Sequence, residues 1–350
     1  MVNEFSYWCD FMERGFNQTK DSGAQSLLLI SMPLIIIIGL CGNTLALLVI
    51  VRTKKLRTHG YSLILIFLIT SDCTALVNRL TVWINFMRAN LGLPNLIVLD
   101  SDAECLLVEM YGVATFVGAW LVVLISVERF CAVCIKPMMK RYLTLRNIFI
   151  VTLVTSMLAG SCDILLVYQI SYVEGQGCSM SETSLKIYVM SAAFLIGPIP
   201  LIFICTFNSL ILVRLRNRKY RSVGKKSRKR IRSKSVRATV MLLIVTFVWA
   251  ILTVPHCASL VMLCIHKLGY SISPSLLRLK YVARTIYDLN YMLNFFLYFM
   301  AGLEFRIAFK RMFFKGENAT SPTLVLELTP SSTTAVKQSR FYLKEDPVID

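Results

Sequence analysis

The chain has 350 residues, 56% of them hydrophobic and 17% charged, and its mean hydropathy of +0.63 is too high for a soluble globular domain. The net charge of +18 does not describe a nucleic-acid surface, because Lys and Arg fall in short runs between long uncharged segments. Composition thus excludes a soluble domain, argues against nucleic acid as a partner, and leaves a protein most of whose surface faces lipid.

Residues 1–25 carry Glu4, Asp10 and Glu13 without a basic start followed by an apolar stretch, so this segment is not read as a cleavable signal peptide. About 20 apolar residues are needed to cross roughly 30 Å of hydrocarbon. Stretches of that kind predict seven spans within residues 26–301, near 26–51, 61–86, 103–135, 147–170, 185–213, 236–264 and 279–301. The first, third and fifth connections are basic, with Arg52, Lys54, Lys55 and Arg57, then Lys136, Lys140, Arg141 and Arg146, then a long run from Arg214 to Arg237. The even connections hold Asp100, Asp102, Glu104, Glu174 and Glu182, although Lys267, Arg278 and Lys280 break the pattern before the last span. Basic loops stay in the cytoplasm, which puts the start of the chain outside and its end inside. The sequon at Asn17 agrees, since glycosylation happens only on the outer side.

Beyond the last span, Phe305, Phe309, Met312 and Phe313 recur at helical spacing among Arg306, Lys310, Arg311 and Lys315, which predicts an amphipathic membrane-surface helix over 303–315. No cysteine follows Cys264, so that helix has no palmitoylation site. Residues 316–350 are polar and contain Pro322, Pro330 and Pro347, as a disordered cytoplasmic tail does. The fold class expected is therefore an all-α membrane protein: a seven-transmembrane helix bundle followed by a short surface helix.

Seven spans alone do not set a function, and the polar residues within them carry the distinction. Gly42-Asn43 in the first span, Asp72 in the second, Glu128-Arg129-Phe130 at the inner end of the third and Asn294-Phe295-Phe296-Leu297-Tyr298 in the seventh form an ordered set, each at its own depth. Between about Ser26 and Lys315 this set resembles the rhodopsin-like (class A) G-protein-coupled receptors. The resemblance implies that Arg129 pairs with Glu128 at rest and meets a heterotrimeric G protein when the sixth span swings outward; a positive-inside anchor is the plainer reading. It implies a kink at Pro255 and an internal switch for which Trp249 is the candidate, Thr253 replacing the usual aromatic; a lipid-facing tryptophan is the alternative. It implies a sodium pocket at Asp72, with Asn43, Asn290 and Asn294 nearby, or else a hydrogen-bonded polar core, since Gly118 stands where a hydroxyl is usual. No other cofactor is expected.

The resemblance also implies a disulfide between Cys105 and Cys178, although Cys105 precedes Arg129 by one residue less than is usual in the family. Cys9 and Cys264 are candidates for a second bridge, and Cys131 with Cys134 form the single C-x-x-C, without a second pair to build a zinc site. Phe295 replaces a proline and Asn208 a tyrosine, departures that occur among peptide receptors.

By the same resemblance, Tyr111 occupies the place of the aspartate that amine receptors carry, and Asp288 the place of the retinal-binding lysine of opsins, where a carboxylate forms no Schiff base. Trp83, Tyr111, Asp163, His256, Arg284, Tyr287 and Asp288 are the candidate ligand cup, each with helix packing as its alternative role. With the acidic outer loops, this cup suits a cationic or amidated peptide of neuropeptide type, with Asp288 or Asp163 as charge partner and Tyr111 as a stacking wall. A non-peptide small molecule is the alternative ligand.

The run Lys225-Lys226-Ser227-Arg228-Lys229-Arg230 is read as a topology signal that also attracts anionic lipid. Thr329, Ser331, Ser332, Thr333 and Thr334 form a phosphorylation cluster suited to arrestin, or a plain disordered tail. A transporter would need repeated halves or a polar pathway, and an enzyme a facing Ser/His, paired aspartates or H-E-x-x-H; neither pattern is visible, so the chain is expected not to be an enzyme.

Overall fold

The computed structural model describes residues 22–93, 102–135, 142–167, 171–173, 177–179, 181–220, 226–267 and 274–314, apart from some side chains near helix ends. The calls on Asn17, on the disulfide-forming side chains of Cys105 and Cys178, on Cys9 and Cys264 and on the tail lie outside the described residues and side chains. The helices are α1 (Ser22–Arg52), α2 (Lys54–Arg57), α3 (Gly60–Asn90), α4 (Asp102–Cys134), α5 (Leu145–Val167), α6 (Glu182–Leu195), α7 (Pro198–Tyr220), α8 (Lys226–Lys267), α9 (Pro274–Ala301) and α10 (Leu303–Phe314).

Six segments are long and apolar enough to cross a membrane, with α6 and α7 counting as one of them over Lys186–Asn217. The seventh is α9, which joins α10 through a 95° bend. The chain is a multi-pass helical bundle with a short helix turned off the end of its last span. A two-stranded antiparallel hairpin, β1 (Ser171–Val173) with β2 (Gly177–Ser179), is added between α5 and α6 and packs against α4.

The bundle is apolar outside and polar within. Ile37, Leu158, Phe247 and Met300 are each more than 60% exposed, whereas Asn43, Asp72, Arg79, Asp163 and Asp288 are each at most 5% exposed. A bilayer imposes this inversion, because an unsatisfied polar group in hydrocarbon costs several kcal/mol. α4 lies at the centre, against α3, α5, α7 and α8, and α9 closes the ring between α8 and α1.

The expected fifth span is divided at Ile196-Gly197, where Pro198 opens α7 as a first-turn proline can. Gly197 also lets α8 approach: a Cβ there would stand 2.0 Å from Cys257 Sγ, just beyond the proline Pro255 inside α8. Gly197→Val therefore pushes α7 away from α8, and its thermal midpoint in detergent should fall by the equivalent of about 1–3 kcal/mol. A midpoint equal to that of the unchanged chain contradicts this packing.

Candidate functional site

Buried charge concentrates at two ends of the bundle, joined by a line of polar side chains along α9. At the end bearing the hairpin, α3, α4, α8 and α9 converge on Asp288. Arg79 Nη2 lies 3.3 Å from one carboxylate oxygen, and Arg284 Nε lies 3.7 Å from the other. Tyr111 donates its hydroxyl to Asp288 at 3.0 Å and accepts one from Tyr291 at 3.2 Å, while Tyr291 and Thr115 share a hydrogen bond of 3.1 Å. The guanidinium carbons of Arg79 and Arg284 stand 4.2 and 4.1 Å from the Tyr111 ring centroid, within cation–π range. The His256 ring lies tilted by 37° against that of Tyr287, with centroids 4.6 Å apart, and its Nε2 is 3.5 Å from Arg284. Trp83 packs against the same cluster, and its indole nitrogen has no hydrogen-bond partner among the described residues.

The structure thus brings together Trp83, Tyr111, His256, Arg284, Tyr287 and Asp288, and adds Arg79 and Tyr291. The expectation of Asp288 as a carboxylate held ready for a cationic ligand is corrected in one respect: two arginines already face it. A lone carboxylate at 1% exposure would be too costly, so the helices supply its counter-charges. Arg79 carried a usable signal, as an arginine two turns beyond Asp72 inside an apolar stretch. Asp163 stands apart. It faces α4 beside Gly112, where an added Cβ would come within 2.7 Å of its Oδ2, and both its oxygens lack hydrogen-bond partners among the described residues.

Mid-bundle, Asn294 donates to Asp72 at 2.5 Å, and Asn43 donates to the Tyr291 carbonyl at 2.8 Å, pinning α1 to α9. Asn290 is not a partner of Asp72. One turn above Asn294 it faces α8, where its amide lies 3.5 Å from Thr253, a residue that stands just before Pro255 and donates its hydroxyl to the Trp249 carbonyl. Trp249 is only 8% exposed and lines the cavity beside Asp72, so it does not face lipid.

That cavity holds about 10 Å³, room for roughly one water-sized sphere. Asp72, Thr115, Asn290 and Asn294 are among its lining. Ser71, whose Oγ lies 3.6 Å from where a Cβ on Gly118 would stand, is not, and donates instead to the Ala114 carbonyl.

At the opposite end, Arg129 forms a two-pronged pair with Glu128, both 7% exposed, and lies over the Tyr61 ring at 4.7 Å. Asn208 donates to Thr246 at 2.8 Å, tying α7 to α8 where the family's usual tyrosine is missing. Phe295 fills the proline's place with an aromatic cluster: its ring lies within 6.0 Å of Phe299, Phe305 and Phe309, docking α10 on α9. Gly42 makes room, since a Cβ there would stand 3.1 Å from that of Phe295. Tyr298 is fully buried beside Phe305.

Residues 42–298 match the family described as 7 transmembrane receptor (rhodopsin family), which is most of the chain. The chain belongs to that family. No curated protein matches it.

Asn294→Ala strands the Asp72 carboxyl and should lower stability by about 1–3 kcal/mol. Asp72→Asn should cancel much of that loss in a double-mutant cycle followed by thermal unfolding, whereas Asn290→Ala should show no coupling to Asp72. Coupling to Asn290 as large as that to Asn294 would contradict the assignment.

Proposed function

We propose that the chain is a G-protein-coupled receptor of the plasma membrane, with its amino terminus outside and its tail in the cytoplasm. Its ligand, in this reading, is a peptide of neuropeptide type with a cationic or amidated group. The observation that carries the reading is the division of buried charge into two poles: the Asp288 cluster at the end bearing the hairpin, and the Glu128–Arg129 pair at the other. The alternation of loop charge supports this orientation.

A cation of the ligand displaces Arg79 or Arg284 at Asp288, with Tyr111 and Tyr287 as aromatic walls and Trp83 and His256 at the rim. Asp163 offers a second carboxylate. Exchanging one counter-ion for another avoids leaving Asp288 bare, and it releases a helix-to-helix tie between α3 and α9. Repacking at Asn290, Thr253 and Trp249 then lets α8 pivot at Pro255. Arg129 leaves Glu128 and meets the G protein, with Asn208, Asn294 and Tyr298 stabilising one or other arrangement. Small-cation binding at Asp72 favours the resting arrangement, and the phosphorylated tail recruits arrestin.

The direct test is a calcium and cyclic-AMP screen of cells expressing the chain against a peptide library. We expect a response to a peptide; a response to non-peptide small molecules alone moves the ligand class, and ion flux without any G protein overturns the receptor reading. With a peptide in hand, Asp288→Arg should cost on the order of a hundredfold in potency, the equivalent of one buried charge pair. Arg129→Ala should keep ligand binding and abolish G-protein activation. Unchanged potency or intact signalling in the respective variants would remove those residues from their roles. Replacing sodium by a bulky organic cation should raise agonist affinity, and equal affinities would dispose of the cation site.

A further inference from the structure

Two hydrogen-bond donors on one face of α3 stand beside the Asp288 cluster without an acceptor. Arg79 is only 5% exposed and turns its Nη2 to Asp288, while its Nε reaches no hydrogen-bond partner among the described residues. Trp83 follows four residues later, one helical turn along the same face. Its indole Nε1 is buried and equally lacks an acceptor among the described residues. The guanidinium carbons of Arg79 and Arg284 also crowd one ring, at 4.2 and 4.1 Å from the Tyr111 centroid, so two like charges meet beside Asp288.

Resting on the reading of this cluster as the ligand cup, we infer that Arg79 and Trp83 receive a carboxylate of the ligand. The ligand is then recognised as a zwitterion, with its cation on Asp288 and its anion on α3. The fate of Arg79 requires the second charge. When a ligand cation takes its place at Asp288, the guanidinium stays buried and loses its counter-charge, which is strongly unfavourable where water is absent. An anion arriving on the same molecule restores the balance. The two donors give that anion its geometry, because a carboxylate has two oxygens to accept from them, and a guanidinium binds it more strongly than it binds a neutral carbonyl. The indole N–H only donates, so Trp83 offers nothing to a ligand cation and adds direction to an anion.

The arrangement separates ligand classes. A purely cationic peptide gains at Asp288 and leaves Arg79 stranded, whereas a zwitterion satisfies both and also relieves the crowding of guanidiniums at Tyr111. The carboxylate comes from a peptide's C-terminus or from an acidic side chain, and the donors of α3 suit either.

The test is affinity selection by the purified full chain in detergent, read by mass spectrometry of the retained peptides. One peptide library is used in three forms: with free carboxylates, with the C-terminus alone amidated, and with every carboxylate methyl-esterified. Full esterification should weaken the retained peptides on the order of a hundredfold, the equivalent of one buried ion pair. The amidated form identifies the source, since a loss as large as that of full esterification assigns the C-terminus and no loss assigns an acidic side chain; both support the site. Trp83→Phe keeps a ring in place but removes the donor. It should weaken free-acid peptides about tenfold, the size of a hydrogen bond to a charged group, and leave the esters as they were. Arg79→Lys keeps a charge for Asp288 without the guanidinium edge and should act likewise. Trp120→Phe, which removes an indole packed against Phe203 instead, should change nothing. Equal retention of acids and esters would overturn the inference alone if Asp288→Glu, which shifts the carboxylate but keeps its charge, still lowers retention. Retention of no peptide, or retention that Asp288→Glu leaves untouched, would overturn both the inference and the ligand cup. A thermal midpoint raised as much by acetate as by the peptides would make the site one for free anions and overturn the inference.

Discussion

A guanidinium and a carboxylate buried together between α3 and α9, Arg79 with Asp288, organise the half of the bundle that bears the hairpin. Neither charge is tolerable alone where water is absent. Once paired, they draw Arg284, Tyr111 and Tyr291 into a network in which each ionic or phenolic group finds a partner. The two arginine side chains crowd Tyr111 of the central helix α4, so the pair also sets how α3, α4 and α9 meet.

From that cluster a polar line descends along α9 through Asn290 and Asn294 to Tyr298. Each rung ties a different neighbour: Asn43 of α1 holds the Tyr291 carbonyl, Thr253 of α8 holds Asn290, and Asp72 of α3 holds Asn294. The rung to α8 lies beside Pro255, where the helix lacks a ladder hydrogen bond and bends at least cost. The Asp288 cluster is thus connected through polar side chains of α9 to α1, α3 and α8. The departures from the family's usual residues have local replacements, with Asn208 tied to Thr246 and Phe295 building an aromatic joint to α10.

Much of the fold was legible in the chain itself, because a bilayer writes its thickness into hydropathy. The depths of Asp72, Arg129 and Asn294 were legible for the same reason: a polar residue inside an apolar run declares itself. Facing partners were not. Periodicity tells that Asn290 and Asn294 share a face of one helix, but not that α8 stands opposite one and α3 opposite the other. Nothing in the sequence pairs Arg79 with Asp288, 209 residues away. The hairpin Ser171–Val173 with Gly177–Ser179 is too short for a two-residue period to register. The Gly197-Pro198 break did carry a signal, since that dipeptide interrupts helices wherever it falls.

The claim on which the account turns is that Arg79 and Asp288 hold the hairpin-bearing half of the bundle together as a buried pair. A double-mutant cycle with Arg79→Gln and Asp288→Asn, read as thermal unfolding of the purified chain, measures this directly. Asp288→Asn should destabilise by about 3–5 kcal/mol, because it strands both arginines, and Arg79→Gln by about 1–3 kcal/mol, because Arg284 still faces Asp288. The double replacement should recover well over 1 kcal/mol of the summed loss. Strictly additive losses would mean that the two residues act separately, and would contradict the account.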